Sequence, residues 1–81
     1  MTRAKRAELE DAKKRAKVQS RFWGEVGPVE HISLPKLRSA LEREFKCRDD
    51  RFIQAQVGLM QTEGRIRIES RVKVWIKQPH P

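Results

Sequence analysis

Residues 32–68 read ISLPKLRSALEREFKCRDDRFIQAQVGLMQTEGRIRI, and the spacing of apolar side chains changes from a period of 3.6 to a period of 2 at Gly64. Ser33 is placed to cap a helix whose first turn holds Pro35, where a missing N–H costs nothing. Leu34, Leu37, Leu41 and Phe45 share one face of that helix, while Lys36, Arg38, Glu42 and Arg43 point elsewhere. Residues 46–48 make a short turn with Cys47 as the one apolar member. Asp49 or Asp50 then caps a further helix running to about Thr62, and both carboxylates suit its positive end. Its apolar face is Phe52, Ile53, Val57 and Met60, with Leu59 at the margin, and Gly64 is placed to end it. Gln56 falls inside that arc: either the rotation is slightly different or its amide finds a partner near the strands that follow.

Downstream, Ile66 and Ile68 alternate with Arg65, Arg67 and Glu69, and Val72, Val74 and Ile76 alternate with Arg71, Lys73, Trp75 and Lys77. Two β-strands are expected. A three-residue loop of Glu69, Ser70 and Arg71 would keep Ile68 opposite Val72, both facing inward. Upstream, residues 2–22 are rich in Ala, Lys, Arg and Glu and favour helix, with Thr2 as cap. Leu9, Ala12, Ala16 and Trp23 fall on one narrow face, and Arg3, Arg6, Lys13, Lys14, Lys17 and Arg21 on a neighbouring one. Trp23 reads as core. Gly24, Gly27 and Pro28 are expected to break this helix, leaving residues 24–30 as a connector and 29–32 as a short strand. The division is a basic helical extension over 1–21, a domain over 22–78 and a tail over 79–81.

The chain has 81 residues, enough for one small domain, with 19 basic and 11 acidic side chains and a net charge of +8. Residues 1–21 carry +5 of this and the remainder +3. An excess this large on so small a body attracts polyanions, nucleic acid above all; the bland alternative is a solubilising surface. The single cysteine, Cys47, forms no internal disulfide and fits a reducing compartment. Cys47, His31 and His80 do not supply four converging ligands, so no metal and no cofactor are expected. No apolar run has the length of a membrane span or a signal peptide, which favours a cytoplasmic protein without a membrane partner. With no phosphate-binding loop, no Ser/His/Asp or Cys/His cluster and no paired-carboxylate cleft, an enzyme is not expected.

Across residues 22–78 the chain resembles the winged helix-turn-helix family of DNA-binding proteins. The likeness rests on Ile53, Val57 and Met60, then Gln61-Thr62-Glu63, then Gly64-Arg65-Ile66, with RIRIESRVKVWIK as the wing. Within the family it most resembles small transcription regulators of archaea and of their viruses and plasmids. The resemblance implies an α+β fold of three helices, a short strand and a C-terminal two-stranded wing, here with the basic helical extension. It also implies that the helix at about 50–62 enters the major groove of double-stranded DNA. Arg51, Gln54 and Gln61 are then the candidate base contacts, because Arg pairs with guanine O6 and N7 and Gln with adenine N6 and N7. Gly58 leaves room for the backbone to approach, and Asp50 would accept from cytosine N4 if it does not cap. Arg71 at the wing tip, with Arg67, Lys73 and Arg48, would reach phosphates or the minor groove. Trp75, outward with them, would stack on the first helix, enter a dimer interface or cover the wing. Lys13, Lys14 and Lys17 would track the backbone beside the site.

A homodimer through the N-terminal helix or the wing is the expected assembly, since two-fold operators double the contact. Two other partners remain open from sequence. Basic winged helices also bind RNA or ribosomes, although exposed aromatics on a sheet face, typical of RNA readers, are limited to Trp75. A protein-docking module needs no such charge.

Overall fold

The computed structural model describes residues 3–79, and the side chains of residues 8–79. The expected cap at Thr2, the side chains of Arg3 and Arg6, and the closing residues 80 and 81 lie outside what is described. The elements follow in the order α1 (Arg3–Val26), β1 (His31–Ile32), α2 (Leu34–Phe45), α3 (Asp50–Thr62), β2 (Ile66–Ser70) and β3 (Lys73–Ile76). The class is α+β. β3 lies between β1 and β2, antiparallel to both, in a three-stranded sheet. This order is compatible with a winged-helix-like layout.

The apolar faces of α2 and α3 meet the inner face of the sheet. Leu37, Leu41, Ile53, Val57 and Met60 are buried there with Ile32, Ile66, Val74 and Ile76. Phe45 and Phe52 close the corner between α2 and α3 edge to face, centroids 5.3 Å apart. The turn joining the two helices is tight because Lys46 adopts the left-handed conformation (φ 51°), which brings the Cys47 N–H onto the Glu42 carbonyl at 3.1 Å. Gly64 ends α3 as expected. Its φ of 72° lets the Arg65 N–H reach back to the Met60 carbonyl at 2.8 Å.

Four expectations are corrected. First, α1 does not break at Gly24 but continues to Val26, running unbroken across the boundary drawn at residue 21. Trp23 and Val26 are half-buried against the core and carry the helix past the glycine; Gly27, at φ 57°, ends it. Second, the face of α1 that packs is not Leu9, Ala12, Ala16 and Trp23. Arg15, Val18, Gln19 and Phe22 are the buried residues, an arc turned by about 100° from the expected one, and Leu9 is 48% exposed. The expected stripe sits on the flank of this arc. Third, the first strand is confined to His31 and Ile32, with Val29 exposed.

Fourth, the β2–β3 hairpin has a different register. Ile68 pairs with Val74 rather than Val72, and a bulge between Ile68 and Ser70 leaves Ser70 opposite Lys73. The turn is therefore Arg71 and Val72, and Val72 is 64% exposed. The bulge absorbs one residue at Glu69, which keeps Ile68 and Val74 on the core side while shortening the loop. Among the described residues no helix is long and apolar enough to cross a membrane.

Candidate nucleic-acid interface

The start of α2 is fastened to the β2–β3 turn by a backbone bond and the start of α3 to α2 by a side-chain ion pair, while each helix start is capped by its own preceding residue. Ser33 Oγ accepts from the Lys36 N–H at 3.3 Å, and the Leu34 N–H donates to the Arg71 carbonyl at 2.8 Å. Pro35 has no N–H to offer. The early donors of α2 are thus spent inside the molecule, and one of them holds the hairpin turn beside the helix. At α3 the cap is Asp49, whose Oδ1 accepts from Arg51 N at 2.9 Å and Phe52 N at 3.2 Å. Asp50 is not the cap, and its carboxylate pairs instead with the Arg38 guanidinium.

This bracing puts basic side chains from three elements on one side. A shallow groove is lined by Arg38, Asp50, Arg51 and Gln54. A second shares Arg38 and Asp50 and continues to Arg71 and Ser39. A third picks up Ser39 and Glu42 and extends to Arg43, Lys46 and Arg48. The band holds six cations against Asp50 and Glu42. The Arg51 side chain has no hydrogen-bond or ion-pair partner among the described residues, and the side chains of Arg51, Gln54 and Gln61 are exposed. Gln61 lies on the same face of α3, two turns beyond Gln54 and outside these grooves.

The other expected contacts are placed elsewhere. Lys13 pairs with Glu10 at 3.7 Å, Lys17 with Glu44 at 3.3 Å, and Lys14 lies 5.3 Å from the centre of the Phe45 ring. None of the three lines the grooves that hold Arg51 and Arg71. Arg67 lies over Trp75 on the outer face of the sheet, and Lys73 is exposed at the start of β3. Arg38 is the groove residue that sequence reasoning passes over. Helical rotation puts it on the polar side of α2, and only the packing of α2 against α3 brings it to Asp50.

On the far side, the ends of α3 and β2 meet α1 through a polar clamp. Arg15, 5% exposed, donates from Nε and Nη2 to the two Glu63 carboxylate oxygens, both at 2.8 Å, and from Nη1 to Gln56 Oε1 at 2.7 Å. Gln56, 4% exposed, thereby finds its partner on α1 and not near the strands. Arg65 donates to Glu63 at 3.0 Å and to Gln19 Oε1 at 2.9 Å, and Gln19 in turn donates to the Lys77 carbonyl at 2.8 Å. The Arg15 hydrogen bonds hold the Glu63 carboxyl below its ordinary pKa, against the opposing effect of burial, with Arg65 adding to the shift. Every buried side-chain polar atom among the described residues is paired.

Among the described residues no group of three or more His, Cys, Asp or Glu side chains is arranged to hold a metal ion. No protein-family model, curated protein or solved structure matches the chain.

Proposed function

We propose that this protein is a winged helix-turn-helix protein that binds double-stranded DNA and regulates transcription, with α3 in the major groove and the β2–β3 hairpin as its wing. The observation that carries the proposal is the convergence of Arg38, Arg51, Gln54 and Arg71 from three elements onto one basic side. Arg51 and Gln54 read base edges from the first half of α3, and Gln61 extends the contact along the same face. Arg71 and Arg48 flank them and hold phosphates, with Lys73 beside the turn. Arg38 exchanges Asp50 for a phosphate on contact, an exchange of one exposed ion pair for another that costs little. The cations Lys13, Lys14 and Lys17 and the more distant Arg67 add long-range attraction.

A second copy of the chain is the cover proposed for Leu9 and Leu59, the two exposed leucines that border a groove between α1 and α3. Selection from a random duplex DNA library tests the reading. A defined motif is expected, palindromic where two copies bind, and recovery of unenriched sequence would refute sequence-specific binding. The RNA reading predicts the reverse preference at matched salt, because the deep, narrow major groove of an RNA duplex does not admit α3.

A further inference from the structure

The outer face of the sheet carries a row that crosses all three strands. His31 on β1 and Arg67 on β2 are both in register with Trp75 on β3. The His31 ring meets the Trp75 ring edge-on with centroids 5.3 Å apart, and the Arg67 guanidinium lies 5.9 Å from the indole centre. By strand alternation Lys73 and Lys77 flank the row on the same face, both exposed, and Glu69 is the acid facing it, its carboxylate 3.5 Å from Trp75 Nε1. The inner face of the same strands is spent on the core through Ile32, Ile66, Val74 and Ile76.

We infer that this outer face binds single-stranded nucleic acid, with an unpaired base stacked in the His31–Trp75–Arg67 row and the flanking phosphates held by Lys73 and Lys77. Two chemical features select that partner. Imidazole, indole and guanidinium are the side chains on which bases stack, here with Arg67 over the half-buried indole and His31 at its edge, and stacking of this kind tolerates any base. The cations beside it complement a phosphodiester chain. A protein partner fits less well, because no outward strand position in or beside the row is aliphatic, the exposed Val29 and Val72 lying outside the strands, and docking would strip water from three cations against one acid. Duplex DNA offers its bases only at their edges, so the row has nothing to stack on until a strand opens. Paired bases go to α3, and unpaired ones to the sheet. The inference is separable from the duplex reading, since Arg51, Gln54 and Arg71 take no part in it and only Lys73 and Arg67 are common to both.

The chain has two tryptophans, so Trp23→Phe leaves Trp75 as the one indole reporter. That variant is titrated with oligothymidylate, oligouridylate and an abasic backbone, each of about 12 nucleotides. Saturable quenching of Trp75 emission is expected with either base-bearing strand. The abasic backbone should bind about tenfold more weakly and leave the emission unchanged. Trp75→Ala should lose about tenfold in single-strand affinity and Trp75→Phe, which keeps a ring, much less, both with duplex affinity retained. Arg51→Ala should give the opposite pattern. Equal binding of the abasic strand, or no quenching, would overturn the inference even if Trp75→Ala fails to fold. So would emission that changes with the protein's own concentration, which would assign the face to a second copy. If Arg51→Ala and Trp75→Phe each weaken both ligands together, one surface serves both; the inference then falls while duplex binding stands.

Discussion

Two sides of this small protein hold arginines in opposite conditions. At the junction of α1, α3 and β2, Arg15 and Arg65 are committed to Glu63, Gln56 and Gln19. On the side formed by the starts of α2 and α3 and the hairpin turn, Arg51 and Arg71 have exposed side chains, and Arg38 is held by one exposed carboxylate. The same residue type therefore does two jobs. A guanidinium buried with matched acceptors orients one element on another, because any other position strands a charge; an exposed one stays available to a phosphate or a base. Net charge describes the molecule and not its sites, so only the second group belongs in an account of binding.

The contrast is most open to attack at the clamp. Arg15→Ala should destabilise the fold by about 2–4 kcal/mol, since it leaves buried Gln56 without its partner and Glu63 with Arg65 alone; the loss is somewhat less than for a fully buried pair because Glu63 is partly open to water. Arg51→Ala should shift stability by less than about 0.5 kcal/mol. Chemical denaturation of the two variants checks the difference, and equal losses would erase it. Core truncation supplies the scale: Leu41→Ala should cost about 2–4 kcal/mol.

On the proposed binding side the expected effect is smaller and falls on affinity. Arg51→Ala or Gln54→Ala should cost about 1–3 kcal/mol on the preferred duplex and far less on random duplex. Arg71→Ala should weaken both duplexes nearly equally. Competition titrations against the two duplexes distinguish these patterns, and sequence preference altered by Arg71→Ala alone would invert the assignment.

Acid probes the clamp from another direction. Glu63 has a lowered pKa in the folded protein, so its contribution is full above the ordinary glutamate value and is lost as pH falls through the folded one. The stability gap between the native protein and Glu63→Gln should therefore be constant near neutrality and shrink in that acidic window. A gap that widens there would have the wrong sign for this ion pair.

The smallest expected effects come from two helical glycines. An added Cβ meets nothing within 4 Å at Gly24 or at Gly58, and each lies inside a helix, so either change to Ala should stabilise by about 0.5–1 kcal/mol. Gly58, between Gln54 and Gln61 on the proposed reading face, should in addition weaken duplex binding when changed, whereas Gly24 should not. Thermal melts paired with binding titrations separate the two.

The helices α2 and α3 are legible in the sequence because their buried residues are aliphatic and recur with the helical period, as at Leu37 and Leu41 or Ile53, Val57 and Met60. The cap Ser33 and the terminator Gly64 are legible for local reasons too, whereas the sequence leaves Asp49 and Asp50 equal as caps of α3 and the structure selects Asp49. The inward face of α1 is not, because half of it is Arg15 and Gln19, which hydropathy counts as surface. A signal is present in Val18 and Phe22, one turn apart and flanking Gln19, but reading it requires accepting a buried cation whose partner lies on a distant helix. The hairpin register is hidden because a bulge changes the pairing without changing the alternation around it. Among the site residues, Arg51, Gln54 and Arg71 can be chosen by helix rotation and turn position. Arg38 cannot, because its placement depends on how α2 crosses α3.

If the exposed cations of the α2, α3 and hairpin side engage the phosphates of a duplex, binding must weaken as salt competes for those phosphates. The most direct measurement is duplex affinity across a salt series, for the native protein and for Arg71→Ala. With about four to eight phosphates neutralised, the logarithm of the affinity should fall against the logarithm of salt with a slope of roughly −3 to −7. Arg71→Ala should reduce the steepness by about one. A flat response in the native protein would contradict duplex binding through these cations.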